Sequence, residues 1–299
     1  MARKLRLPAR PSTVPTTQII MLGTGTPRPD PARSGPATGI VVNGTPYLVD
    51  SGPGVVRRIA AAYDKGVTAF GFAAIALRTI FLTHLHADHT AGYPDLILTP
   101  WILGRRQPLE VYGPKGLRSM TRHVLEAWQI DIEDRLTGID RLPRRGCRVN
   151  AHEIAPGVIY VDRNIRITAF PVRHGHLAAF GFRFETPDRT IVISGDTAPT
   201  PNLVEHCEGC DVLIHEAYSE RTYQGLSPKW QRYRRSHHTS SRQLAALATR
   251  VRPGLLVLYH RSNAGGGATR PPDTEEQLLC EIRRLYRGQV VAGHDLDIF

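Results

Sequence analysis

The sequence predicts a mixed α/β fold, on three observations. Short apolar, β-branched runs alternate with glycine-rich punctuation, stretches carrying helix caps or an opening proline fall between them, and no fixed period repeats along the chain. A chain of 299 residues with 41% hydrophobic and 22% charged residues can bury a sizeable core. Disorder, collagen and a coiled coil are thereby excluded.

Taken in order, residues 1–16 are basic and proline-rich and read as a flexible segment ahead of a single domain over residues 17–299. The runs QIIMLGTGTP, TGIVVNGTPYLVDSGPG and RTIFLTHLH read as buried strands that end in turns. Helices are expected at Gly54 to Asp64, Pro114 to about Ile130, Thr239 to Val251 and near Asp273 to Tyr286. Further strands are expected at Ile165 to Val172, Phe180 to Glu185, Thr190 to Ser194, Val212 to His215 and Leu255 to His260, with a last strand after the final helix. Ser219 to Ser236 and Asn263 to Arg270 read as the longest irregular stretches.

The charge balance narrows the partners. With 38 Lys plus Arg against 27 Asp plus Glu, the chain carries +11 and favours anionic substrates or nucleic acid. No stretch approaches the ~18 apolar residues of a membrane helix, and the N-terminus lacks an apolar signal region, so a cytoplasmic protein with no membrane partner is expected. The four cysteines are too few for a disulfide scaffold. Cys207 and Cys210 lack a second pair and read as small residues at a helix-to-strand turn. Gly23 and Gly25 lack the third glycine of a dinucleotide fingerprint.

The thirteen histidines carry the chemistry. His84, His86, Asp88 and His89 emerge where the apolar strand Thr79 to Leu82 ends. In extended chain His84 and His86 point the same way and can share one ion, while the turn beyond lets Asp88 and His89 face a second. His174, Asp196 and His260 each follow another apolar strand, with His176 a competing candidate for the place of His174. Nitrogen and oxygen donors without paired cysteines suit two divalent ions, zinc first, with manganese or iron as alternatives.

These residues, with Leu22-Gly23-Thr24-Gly25-Thr26-Pro27, Val49-Asp50-Ser51-Gly52-Pro53-Gly54, Leu109 to Pro114, Ser194-Gly195-Asp196-Thr197, His215-Glu216-Ala217 and His238-Thr239-Ser240-Ser241, resemble the metallo-β-lactamase superfamily, and their order resembles its ribonuclease Z branch. The resemblance spans roughly residues 18 to 299. It implies a four-layered αβ/βα sandwich with mixed sheets and a homodimer. It also implies that His84, His86 and His174 hold one ion, that Asp88, His89 and His260 hold the other, and that Asp196 bridges them. Ribonuclease Z proper carries a long tRNA-gripping arm, whereas Phe180 to Ile193 reads here as a plain hairpin. Weight therefore shifts toward a small anionic ester as substrate, with RNA less favoured.

The expected function is a dinuclear hydrolase that uses a metal-bridging hydroxide on phosphodiesters or similar anionic esters, such as aryl sulfates or phosphotriesters. The alternatives are a lactonase, esterase or weak β-lactamase, a tRNA 3′-processing endoribonuclease, and a non-catalytic RNA-binding module. Asp88 is expected to act as ligand and proton acceptor. By the resemblance, His238 faces the leaving group and is oriented by Glu216 or His215. Asp50 is expected behind the ligands, holding the second nitrogen of a histidine. Trp230, Arg232, Tyr233 and Arg235 interleave aromatic and basic side chains just before His237. They read either as a surface for a base or aryl ring and a phosphate, or as a solvated loop with one anchored tryptophan.

Overall fold

The computed structural model describes residues 16–262 and 273–299. The expected flexible N-terminal segment, save its last residue, and the glycine-rich stretch Asn263 to Arg270 lie outside them. Six strands form the first sheet, in chain order and spatial order alike: β1 (Thr17–Gly23), β2 (Ala37–Val42), β3 (Thr45–Val49), β4 (Thr79–Phe81), β5 (Leu109–Gly113) and β6 (Val149–Glu153). The second sheet holds β7 (Gly157–Val161), β8 (Arg166–Pro171), β9 (Phe180–Glu185), β10 (Thr190–Ile193), β11 (Val212–Tyr218), β12 (Leu255–Ser262) and β13 (Val290–Ala292). Both sheets are mixed. In the first, β1 to β3 are antiparallel and β3 to β6 parallel; in the second, β7 to β10 are antiparallel and β10 to β13 parallel.

Ten helices are described: α1 (Val55–Asp64), α2 (Ala87–Thr90), α3 (Tyr93–Ile102), α4 (Leu117–Ala127), α5 (Gln129–Thr137), α6 (Pro201–Cys207), α7 (Glu220–Gln224), α8 (Pro228–His237), α9 (Ser241–Val251) and α10 (Glu275–Arg283). None of them is long and apolar enough to cross a membrane.

Strand alternation explains the layering. In β1, Ile19 and Met21 join a core shared with Phe81, Phe182, Phe184 and Ile214, so this face lies between the two sheets. Ile20 and Leu22, one residue out of step, pack on the opposite face with Val55 and Ile59 of α1 and Leu96 and Trp101 of α3. The second sheet repeats the plan, its outer residues Val192, Leu213 and Leu256 meeting Leu203 of α6, Leu244 of α9 and Leu278 of α10. Strands buried on both faces read as continuous apolar runs, which is why the sequence displays them so clearly. Phe81 sits at the centre, 5.3 Å from the Tyr112 ring and 5.9 Å from Phe182 and from Phe184. Truncating such a residue typically costs about 3–5 kcal/mol.

Several expectations need correction. The stretch Ser219 to Ser236 is largely helical, forming α7 and most of α8. The helix expected from Pro114 to Ile130 is two, broken at Trp128, where the chain leaves helical geometry before α5 begins. Strands β11 and β12 run past His215 and His260, and β6, β7, α3 and α6 were not anticipated. The hairpin between β9 and β10 is as plain as its sequence, closed by a bond from the Thr186 amide to the Arg189 carbonyl at 3.0 Å.

Candidate metal centre

Strand direction decides where the functional side chains gather. β3, β4 and β5 run parallel, as do β10, β11 and β12, and β8 runs in the direction of β10 because β9 is antiparallel to both. The C-terminal ends of β3, β4, β8, β10, β11 and β12 thus carry Asp50, His84, His174, Asp196, Glu216 and His260 to one edge of the sandwich. Backbone irregularity aims them. Asp50 and His260 have φ of 61° and 41°, a region that residues with a Cβ rarely enter. His260 is also the extra residue of a bulge, since Glu216 pairs with Tyr259 and Ala217 with Arg261.

Three nitrogens converge at the first part of the site. His86 Nδ1 lies 3.1 Å from His84 Nε2 and 3.1 Å from His174 Nε2. The opposite nitrogens fix the tautomers. His174 Nδ1–H donates to the His237 carbonyl at 2.8 Å, and a carbonyl can only accept, so Nε2 presents a lone pair. His84 Nδ1–H donates to Thr83 Oγ1 at 3.0 Å, and that hydroxyl donates in turn to Asp50. Two lone pairs thus face His86 Nδ1, and with that nitrogen also unprotonated the three would repel unless a cation sat among them. Donor atoms on a tetrahedral zinc ion, with bonds of about 2.0–2.1 Å, lie roughly 3.3 Å apart, close to these separations.

The second part is assembled from Asp88, His89 and His260. His89 Nδ1–H donates to Asp50 Oδ2 at 2.8 Å, which leaves Nε2 facing Asp196 Oδ1 at 3.4 Å. His260 Nε2 meets Asp88 Oδ2 at 3.1 Å and its Nδ1 faces Asp196 Oδ1 at 3.4 Å. The other oxygen of Asp196 points toward His174 Nε2 at 3.9 Å. One carboxylate thus turns one oxygen to each donor group. His89 Nε2, Asp196 Oδ1 and His260 Nδ1 are buried and have no hydrogen-bond partner among the described residues. An orphaned buried polar atom costs about 1–3 kcal/mol, and three together with this donor chemistry fit divalent ions.

The electrostatics agree. Burial pushes His84 well below the ordinary histidine range and His174 down to about 4, which keeps both neutral and able to ligate. For His89 and His260 burial is again the largest influence and lowers them, but the carboxylates around them, Asp196 with Asp50 for His89 and Asp196 with Asp88 for His260, together outweigh it and pull both up. A cation between them satisfies those carboxylates in place of their protons.

Beside the cradle, His238 Nδ1–H donates to Glu216, with both carboxylate oxygens at 2.9 Å. The Thr197 amide donates to the same carboxylate at 2.7 Å. Burial lowers His238 to about 3 and raises Glu216. His215 points elsewhere: its Nδ1–H donates to the Glu216 carbonyl at 2.6 Å and its buried Nε2 has no partner among the described residues. His176, the competing candidate for the place of His174, is exposed. Of the four residues singled out on α8, Tyr233 lines a cavity of about 870 Å³ together with His86, Asp88, Arg28 and Arg33; Trp230, Arg232 and Arg235 lie outside it.

Sequence reasoning missed Thr83, which passes the influence of Asp50 to His84, and the His237 carbonyl behind His174. It also missed Asp295, which accepts from the Thr24 amide at 2.9 Å and the Ser34 amide at 2.7 Å and so shapes the cavity's Thr26 to Gly35 wall. Thr83 adjoins a ligand and was within reach of a local signal. Asp295 had none, its partners being 271 and 261 residues away.

Comparison with known proteins gives consistent results. The family model described as a beta-lactamase superfamily domain matches residues 45–261. A curated ribonuclease Z of Mycobacterium bovis (strain BCG / Pasteur 1173P2) is 31% identical over 283 residues, 93% of this chain and 96% of its own. One of Mycobacterium sp. (strain KMS) is 35% identical over 248 residues, 81% of this chain and 83% of its own. Among solved structures, the metallo-beta-lactamase fold protein YhfI from Bacillus subtilis matches with a TM-score of 0.69 at 18% identity, covering 95% of this chain and 98% of its own. The short form of human tRNase Z matches with a TM-score of 0.67 at 23% identity, covering 94% and 98%. At those identities the structural matches establish the fold alone, the sandwich described above.

Proposed function

Because the chain belongs to the metallo-β-lactamase superfamily of metal-dependent hydrolases, and through its curated relatives to the ribonuclease Z family, we propose that it is a phosphodiester hydrolase that processes RNA at the 3′ end of tRNA precursors. The observation that carries the reading is the Glu216–His238 pair, 2.9 Å apart, set against the orphaned donors of the cradle. His84, His86 and His174 would hold one ion, Asp88, His89 and His260 a second, and Asp196 both, with zinc as the metal. Such ions supply an activated water and neutralise charge developing at phosphorus.

The chain's own residues do the rest. Glu216 accepts from the Nδ1–H of His238 and so presents Nε2 to the departing oxygen. Burial keeps the ring neutral in the free site, so the proton it gives is one Nε2 takes up as the anionic substrate enters. Asp88 lines the cavity and is placed to accept a proton from the attacking water. Asp50 holds His89 directly and His84 through Thr83. RNA is preferred as substrate because relatives named ribonuclease Z match nearly end to end, so that name attaches to proteins of this length. The plain β9–β10 hairpin favours a second reading, a small anionic ester.

The test is metal analysis of the purified protein, with kinetics on a tRNA precursor carrying a 3′ trailer, on bis(nitrophenyl) phosphate, and on an aryl sulfate, an aryl ester and a lactone. Bound zinc and a highest kcat/KM on RNA are expected. A higher efficiency on a small ester transfers the assignment to the second reading. Protein without transition metal, inactive after zinc or manganese is added, removes both. A homodimer, one cooperative unit over residues 17–299 and a cytoplasmic location belong to the same proposal. Light scattering and a single melting transition check the first two.

A further inference from the structure

We propose that helix α8 is a platform for single-stranded RNA beside the metal centre, with Tyr233 and Trp230 as base-stacking surfaces and Lys229, Arg232 and Arg235 as phosphate contacts. The inference rests on the RNA reading above and deepens it.

Spacing comes first. Trp230, Tyr233 and His237 stand at i, i+3 and i+7, so one face of α8 carries all three rings. They form a ladder: Trp230 meets Tyr233 edge-on at 5.4 Å, Tyr233 stacks on His237 at 4.2 Å, and His237 meets the His174 ring at 5.1 Å. A row of rings thus runs from solvent to the cradle. Its inner end is rigid. Gly175, at φ 61°, lies against His237, where a Cβ would come within 2.1 Å of Nε2, and the His237 carbonyl holds His174.

These rings are not core. No residue of α8 is buried, and Trp230 keeps 36% of its surface. Tyr233 is the rung that lines the cavity, together with Arg28 and Arg33, and its hydroxyl makes no hydrogen bond among the described residues. Charge supplies the second observation. Lys229, Arg232 and Arg235 are exposed and make no ion pair among the described residues. An exposed Trp230 and a half-buried Tyr233 that lines the cavity, flanked by unpaired cations, offer the ring faces and charge that a single strand recognises irrespective of sequence.

The experiment uses the full zinc-loaded chain and a phosphorothioate-linked oligouridylate, which resists cleavage. Of the three tryptophans, Trp101 is buried and Trp128 and Trp230 are exposed. Binding should quench tryptophan fluorescence. Trp128→Phe should keep that quenching, Trp230→Phe should lose it, and Trp230→Leu should weaken binding about 5- to 150-fold, the range for one lost base–aromatic stack. The ratio of kcat/KM on RNA to that on bis(nitrophenyl) phosphate should fall by a similar factor in Tyr233→Leu and largely recover in Tyr233→Phe. Unchanged quenching and affinity in the Trp230 variants, while wild type binds and cleaves RNA, overturn the platform alone. Equal competition by polyglutamate does the same, because it shows attraction to any anion. Wild type that hydrolyses the small diester but neither binds nor cleaves RNA overturns the platform together with the RNA reading.

Discussion

The cradle and helix α8 adjoin, yet they are built on opposite terms. Three of the five histidines proposed as ligands are held from behind: His89 by Asp50, His84 by Thr83, and His174 by a carbonyl of α8. On α8 the outward side chains are held by little beyond the helix itself. Buried partners fix a reacting geometry to fractions of an ångström, as chemistry demands. Exposed rings and cations leave room for substrates of varied sequence. The difference teaches that this molecule separates what it does from what it does it to, and each side can be broken alone.

The largest effect should come from the oxygen pair that faces both donor groups. Asp196→Ala is expected to release metal and to abolish hydrolysis of every substrate, read by metal analysis and by assay of the same preparation. Full metal content with residual turnover would place the bridge elsewhere. His238→Ala should keep its metal and lose about 10²–10⁴-fold in kcat on RNA, whose leaving alkoxide needs a proton, but little on bis(nitrophenyl) phosphate. Equal losses on both substrates would make His238 a binding group.

Asp50→Asn is the next step down. It keeps the shape but weakens the acceptor behind His89 and Thr83, and such changes typically cost about 10–100-fold in metal affinity. Activity should be low at limiting zinc and recover on titration with excess zinc. Failure to recover would show that Asp50 holds the fold of the edge and does not merely orient ligands.

Legibility in the sequence follows the same division. The cradle announced itself because strands buried on both faces are unbroken apolar runs, and ligand-type residues stand directly at their ends. His174 and His176 were a different matter, since only the turn through Gly175 decides which ring enters. The bulge that aims His260 needs the pairing of β11 with β12, which no local window contains. Helix α8 was hidden for a physical reason. None of its residues is fully buried, so it carries no aliphatic stripe, and the ring spacing of Trp230, Tyr233 and His237 is the one helical period in PKWQRYRRSH. Pro228 at its first turn was the other usable mark.

Helix α5 offers the finest test, because it too buries none of its residues. Its one cation is paired: Arg135 Nε meets Asp131 at 3.1 Å, four residues back, and Nη1 meets Asp140, just beyond the helix, at 3.2 Å. Those pairs are partly exposed, so Arg135→Ser should cost about 0.5–1 kcal/mol of stability and leave RNA binding and its salt dependence unchanged. Arg235→Ser, which removes a cation without a partner, should do the reverse. Its stability should stay within about 0.5 kcal/mol of wild type, while the slope of log affinity against log salt becomes shallower by about 0.7, one phosphate contact on a single strand. Urea denaturation and a salt titration of oligouridylate binding read the two quantities separately. If Arg235→Ser destabilises the protein as much as Arg135→Ser and leaves the slope alone, the cations of α8 serve the fold as that of α5 does, and the contrast between the two helices is lost.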